Sequence, residues 1–261
     1  MQQHILVFDI ETVIDADSSR QFLRKPELTD SEARIALQAF YLEKTNGKNN
    51  FARQPFHQVV AISYAQLNRE GQSMVFNRVG SGGDVGSSEK ELLQGFFQFI
   101  EQHKPQLVSY HGRGFDIPVL KYRAMKHQLS CPTWFQYRYD YRYDQKQHLD
   151  LLEFFSDFGA SARCSLDEIA SCFSVPGKLD ISGEQVLDLF ENNQIETIRH
   201  YCECDVLSTL LLFLRWQLFN GQLSHDHFYQ SNQSIHNYLQ QEVAQRPYLQ
   251  AFLDAWHGEQ S

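Results

Sequence analysis

The stretch HILVFDIET, His4 to Thr12, decides how this chain is read. Ile5 to Phe8 are apolar on both faces, which predicts a strand over residues 4–10 buried inside a sheet. Asp9 and Glu11 close it. Residues two apart in a strand point to the same face, and their Cα atoms lie roughly 6–7 Å apart at ordinary strand rise. Both carboxylates therefore reach one cluster of cations. An acid between Phe8 and Ile10 is expensive unless something neutralises it. The chain holds a second Asp-x-Glu, Asp30-Ser31-Glu32, at a predicted helix start. Acids there complement the helix dipole, so that copy implies no cation.

Working outward, residues 15–57 read as a polar insertion with one helix, TDSEARIALQAFYLEK (29–44), capped by Thr29 or Asp30 and flanked by exposed loop. Strands are predicted at 59–67, 72–79 and 106–111, the first two joined by a turn at Asn68–Gly71. Their spacing suggests an antiparallel pair. GSGGDVGSS (80–88) lacks both the G-x-G-x-x-G spacing and the G-K-[ST] ending of phosphate loops, so it reads as a flexible linker. Helical spacing marks 89–104, and FDIPVLKYRAMKHQL (115–129) is a turn plus helix with Pro118 early enough to be tolerated. SLDEIASCF, SGEQVLDLFENN and the long TIRHYCECDVLSTLLLFLRWQLFNG continue as helices. The element order predicts an α/β domain with a mixed sheet over 1–220, followed by a helical C-terminal extension at 221–261.

The 261 residues suffice for one large domain, and 42% hydrophobic with 21% charged residues is ordinary for a globular protein. No apolar run approaches the roughly 20 residues of a membrane span, and MQQH leads straight into a strand, so no signal peptide is expected. Five scattered cysteines without a C-x-x-C suit reduced thiols in a cytoplasm and speak against a structural zinc site. The net charge of −9 excludes a protein that holds nucleic acid by bulk electrostatics. A nucleic-acid partner would have to be gripped locally, with cations supplying the positive charge.

Two further motifs carry acids. Asp116 lies in SYHGRGFDIPVL, where it is placed either to serve a site or to cap the following helix. Tyr201 and Asp205 lie four apart in HYCECDVLSTLLLFL, hence on one helix face. Four carboxylates gathered on apolar segments repel one another, and hard divalent cations with oxygen ligands relieve that repulsion. In WFQYRYDYRYDQKQH (134–148), Tyr137, Tyr139, Tyr141 and Tyr143 would share one face of a strand, either packed on the domain or free to stack unpaired bases. Arg113 and Lys178 are placed to reach a phosphate, and His148 and Asp150 read as supporting or helix-starting residues.

Together FDIET, F-D-x-P-x-L and Y-x-x-x-D resemble the three motifs of the DnaQ-like DEDD 3′→5′ exonucleases, the tyrosine marking the DEDDy subgroup. The segments HLDLLEF, SLDEIA, VPGKLDISGEQV and YCECDVLSTLLLFLR are similar to stand-alone exonucleases related to the proofreading domain of family B DNA polymerases. The resemblance covers roughly residues 4–220. It implies an RNase H-like mixed five-stranded sheet flanked by helices. It also implies that Asp9 bridges two metal ions, Mg²⁺ or Mn²⁺, with Glu11, Asp116 and Asp205 completing the site and Tyr201 orienting the attacking water. The implied activity removes nucleoside monophosphates from single-stranded DNA 3′ ends, with Thr12, His111, Arg113, Phe115 and Lys178 as candidate substrate contacts. His111 stands where the polymerase domains usually carry asparagine. An exoribonuclease of the same fold is an alternative, since no residue here reads a 2′-hydroxyl. A silent nucleic-acid-binding module is another, though it gains nothing from four clustered acids, and a protein-interaction domain using the aromatic tail 228–256 is a third, which a divalent-ion titration separates from the enzyme readings.

Overall fold

A computed structural model describes residues 3–177 and 183–256. Strand β1 (Gln3–Ile14) is its axis. It pairs antiparallel with β2 (His57–Glu70) along its whole length, from Gln3 opposite Arg69 to Ile14 opposite His57. On its other side it pairs parallel with β4 (Gln106–Ser109). β3 (Ser73–Ser81) adds antiparallel to β2, and β5 (His148–Asp150) adds parallel to β4. The order β3-β2-β1-β4-β5 is the expected mixed five-stranded sheet. The fifth strand is the start of HLDLLEF, whose Asp150 also caps α6 (Leu151–Phe155).

The two faces of β1 bury different helices. Leu6, Phe8 and Ile10 face a core built with α3 (Glu89–His103), α4 (Asp116–Lys126) and α5 (Pro132–Gln136). Ile5 and Val7 face the core shared with α9 (Ile195–Phe219), and Val13 packs with Val186 of α8 (Val186–Glu191). Asp9 and Glu11 continue the second, odd-numbered row, toward the helix that carries Tyr201 and Asp205. From Val206 to Leu214 every residue of α9 is buried, as befits a helix covered on all sides. The sheet lies beneath it. Over it lie α7 (Leu166–Cys172), α10 (His225–Glu242) and α11 (Tyr248–Ala255), whose Phe228, Ile235, Leu239, Leu249 and Phe252 join the same core.

Three readings of the sequence need correction. The start of the insertion is not loop: Asp15 accepts from Ser18 N–H and caps a helix, α1 (Ala16–Leu23). It packs on α2 (Asp30–Lys44), whose N-cap is Thr29 in a reciprocal capping box with Glu32. The segment 80–88 is not a free linker. The Arg199 guanidinium on α9 donates to the carbonyls of Gly82 and Gly83, each at 2.9 Å, and Ser88 caps α3. The tyrosine-rich run 134–148 is not a strand. Pro132 opens α5, Arg138 takes a left-handed φ of 57°, and turns follow. Trp134 and Tyr139 are buried, the Tyr139 hydroxyl donating to Pro105 O at 2.8 Å, while Tyr141 and Tyr143 are exposed. The four tyrosines therefore share no face. Among the described residues, no helix is long and apolar enough to cross a membrane.

Candidate active site

The carboxylates arrive from three separate parts of the chain. A β-bulge between Glu11 and Thr12 interrupts the β1–β2 register just after the Asp9–Glu11 pair, and bulges re-aim neighbouring side chains. Asp116 comes from the loop that leaves β4. Its N-cap is Phe115, so its carboxyl is not used as the side-chain cap of α4; Oδ1 accepts from Ile10 N–H at 3.2 Å. Tyr201 and Asp205 come from α9, where the tyrosine hydroxyl hydrogen-bonds the Asp205 carboxylate one turn along the helix.

The loop before Asp116 is rigidly built. Asp150 accepts from His111 N–H at 2.9 Å and from Arg113 N–H at 2.8 Å. His111 sits at φ 65° with its ring folded over Gly114, where a Cβ would meet the imidazole at 2.5 Å. A Cβ at Gly112 would lie 2.3 Å from the Ser109 hydroxyl, so both glycines of GRG are needed for close approach.

Electrostatics show how tightly the acids are gathered. Burial pushes the Asp9 carboxyl well above the ordinary carboxylate range, and the negative charges of Asp116, Glu11 and Asp205 push it further. Asp116 is raised to about 7, first by burial and also by Asp150, despite the amides it accepts from. Tyr201 is raised by burial and then by Asp205, Glu11 and Asp9, so it stays a neutral phenol.

Cys202 is a neighbour that sequence reasoning missed. Its Sγ lies 3.6 Å from Asp9 Oδ2, and ligand atoms of Asp9, Glu11 and Cys202 all fall within 4.8 Å of one another. Burial and the same acids raise its pKa, which keeps it a thiol, whereas metals take thiolate. The only signal was its place beside Tyr201 on a helix that faces β1.

The candidate substrate contacts are placed unequally. The Thr12 hydroxyl lies 2.9 Å from His57 Nδ1, and Phe115 packs edge-on against the His57 ring, centroids 4.9 Å apart. His111 is exposed. Arg113 is turned inward: it donates to His148 O at 2.9 Å and pairs with Glu153 at 3.0 Å. Lys178 lies outside the described residues. His148 is buried, with its Nε2 2.8 Å from the Ser109 hydroxyl, and belongs to the β4–β5 support.

Residues 49–256 match a family model described as "Predicted 3'-5' exonuclease related to the exonuclease domain of PolB". The chain belongs to this family of predicted exonucleases. Among solved structures, the chain is similar to the family B DNA polymerase from the hyperthermophilic archaeon Pyrobaculum calidifontis. The TM-score is 0.52 at 20% identity, over 83% of this chain and 24% of that one. The chain thus has the RNase H-like fold while spanning about a quarter of the polymerase's length. No curated protein matches the chain significantly.

Proposed function

We propose that this exonuclease hydrolyses phosphodiester bonds at the 3′ end of single-stranded DNA, releasing nucleoside monophosphates, with two divalent cations, Mg²⁺ or Mn²⁺, held by Asp9, Glu11, Asp116 and Asp205. The observation that carries this reading is the convergence on Asp9. The three charges that bear on it most are all carboxylates, brought from β1, α4 and α9. Such crowding is relieved by hard cations, and a set of carboxylate oxygens fits them. The cations, when bound, would lower the pKa of the attacking water and stabilise the leaving oxygen.

The chain's own residues supply the positioning. The charges of Asp116, Glu11 and Asp205 all act on the Asp9 carboxyl, so Asp9 is the ligand that the cations would share. The Tyr201 hydroxyl, fixed by Asp205, is a neutral donor and acceptor at the edge of the cluster and orients the attacking water. Asp116 is held in place by backbone amides, Ile10 N–H among them at 3.2 Å, which fixes its carboxylate toward the cluster. The net charge of −9 gives no general hold on duplex DNA. Unpaired 3′ ends also avoid the cost of opening base pairs before the scissile phosphate enters the cluster.

The test is digestion of 5′-labelled single-stranded DNA, duplex DNA and RNA with Mg²⁺, Mn²⁺ or EDTA. A descending ladder on single-stranded DNA, silenced by EDTA and slowed on blunt duplex, is expected. Immediate release of the 5′ label as a mononucleotide overturns the polarity. Faster loss of RNA transfers the assignment to an exoribonuclease.

A further inference from the structure

Cys202 meets Asp9 from the helix side. It follows Tyr201 on α9 and is fully buried, with its Sγ 3.5 Å from Asp9 O and 3.6 Å from Asp9 Oδ2. Behind it runs a short row of polar groups in an otherwise apolar layer. Ser63, also fully buried, is the β2 residue paired with Asp9, and its hydroxyl shares a hydrogen bond with the Cys202 thiol. Its neighbours on the same face of β2, Ala61 and Ala65, are apolar. A hydroxyl kept in such a place costs free energy unless it is bonded. Ser63 Oγ lies 2.8 Å from Ser81 Oγ on β3, and Ser81 Oγ lies 2.6 Å from Glu203 Oε1.

The protons in this row run one way. An ionised carboxylate only accepts, and Glu203 is ion-paired with Arg246, so the Ser81 hydroxyl donates to Glu203. The Ser63–Ser81 bond then takes its proton from Ser63. Each hydroxyl has a single proton, so Ser63 has none left for the sulfur. The Cys202 thiol is therefore the donor at its own end of the row. The acceptors beside it are the neutral oxygens of Ser63 and of the Asp9 main chain, and the Asp9 carboxylate. The carboxylate is the strongest of them, because hydrogen bonds to ionised groups are roughly twice as strong as neutral ones.

We propose that Cys202 is a positioning residue: its S–H donates to Asp9 Oδ2 and fixes the rotation of the carboxyl that the cations would share. The inference rests on the exonuclease reading above and deepens it. A metal ligand with a hydrogen-bonded partner behind it is oriented before the ion arrives, and loss of such a partner costs about 10- to 100-fold in metal affinity or activity. A thiol suits the task because it is a weak donor. It orients the carboxylate while leaving it the negative charge that cations need. Cys202 acts through Asp9 alone and takes no part in the bond-breaking step.

The experiment uses the full chain and begins without metal. The infrared S–H stretch of Cys202, isolated in each background as the difference from Cys202→Ser, should lie at the low frequency of a hydrogen-bonded thiol. It should move up in Asp9→Ala, and part of the way in Asp9→Asn, whose amide oxygen is a neutral acceptor. A band that stays put in both variants overturns the proposal. Mn²⁺ is then titrated calorimetrically. Cys202→Ala should weaken its binding on the order of 10-fold, and Cys202→Ser, which keeps a donor, should recover most of the loss. On single-stranded DNA, Cys202→Ala should need correspondingly more Mn²⁺ for half-maximal rate, with KM for DNA near wild type. A thiol that merely packs as a small apolar group predicts the opposite order, with alanine disturbing the site less than serine. Equal Mn²⁺ affinity in wild type and Cys202→Ala, or a serine variant no better than alanine, also overturns the proposal. If the S–H band responds to Asp9 and Mn²⁺ affinity responds to Cys202, yet wild type hydrolyses neither single-stranded DNA nor RNA, the exonuclease reading falls while Cys202 stands as the support of a metal ligand.

Discussion

Asp116 Oδ1 takes the N–H of Ile10 at 3.2 Å, across 106 residues of chain. The parallel β1–β4 pairing ends at Val7 opposite Val108, so β1 runs on beyond its neighbour. A buried amide there needs an acceptor, and a side chain from the next helix supplies one. One carboxyl thus satisfies the sheet's last amide while lying in the cluster of acids that acts on Asp9.

Asp116→Asn should separate these duties. It keeps an acceptor for Ile10 and removes a charge from a crowded cluster. Turnover should fall on the order of 100- to 1000-fold, while metal-free stability holds or rises. Asp116→Ala loses the acceptor as well and should unfold about 1–3 kcal/mol more easily. Urea denaturation in EDTA, paired with single-turnover hydrolysis, measures both. Equal destabilisation by Asn and Ala would show that the Ile10 contact does not matter.

The raised acids also set a pH dependence. Asp116 in the fold titrates near 7 and Asp9 is displaced in the same direction, against roughly 4 for an unfolded aspartate. Between those values the folded protein binds more protons than the unfolded one, so stability falls as pH rises. The contribution is complete below pH ~4 and is lost as pH climbs through about 7. Protein in EDTA should therefore melt several degrees lower at pH 8 than at pH 5.5, and Mg²⁺ or Mn²⁺ should narrow the gap. Asp9→Asn should narrow it without metal. A metal-free protein that is as stable at pH 8 as at pH 5.5 contradicts the clustering.

Tyr201 offers a sharper division between holding metal and placing water. Its hydroxyl is bonded to Asp205 and kept neutral. Tyr201→Phe should lower kcat on the order of 100-fold, a general acid–base or positioning effect in size, with Mn²⁺ affinity nearly unchanged. Asp205→Ala should lose both. Isothermal titration with Mn²⁺ decides: if Tyr201→Phe weakens Mn²⁺ as much as Asp205→Ala does, the tyrosine belongs to the metal shell.

Much of this architecture was legible because it is local. Four apolar residues before Asp9 marked the central strand, and the i, i+4 spacing of Tyr201 and Asp205 put both on one helix face. What failed to show was non-local. β5 is three residues long, too short for any periodicity. The tyrosines at 137–143 mimic a strand's alternation, but Trp134 and Tyr139 are drawn into the α3 core by burial, which outweighs local pattern. α1 was hidden because Asp15, Asp17 and two serines read as loop, whereas Asp15 is held by Arg123 and Lys126 from α4 as well as capping the helix. Cys202 becomes a neighbour of the site only once α9 is folded onto β1.

The last expectation concerns Glu203, which lies on α9 between Tyr201 and Asp205 and is buried. Its carboxylate accepts from Ser81 on β3 at 2.6 Å and from Arg246 and Tyr248, which join α10 to α11. Arg246 also donates to Val79 O at 3.1 Å, and the Tyr248 ring stacks on His200 at 3.9 Å. The C-terminal helices are thus bolted to the helix that positions the candidate site. Arg246→Ala would leave a buried carboxylate without its cation, a change that costs about 3–5 kcal/mol. Arg246→Met with Glu203→Gln removes both charges and should cost clearly less, because no uncompensated charge remains. At temperatures where Arg246→Ala is still folded, its KM should stay near wild type and its loss of activity should track the unfolded fraction. Urea titrations of Arg246→Met, Glu203→Gln and the double give the coupling directly. Additive effects would mean that Glu203 and Arg246 act independently, and that α9 is held in place by its apolar packing alone.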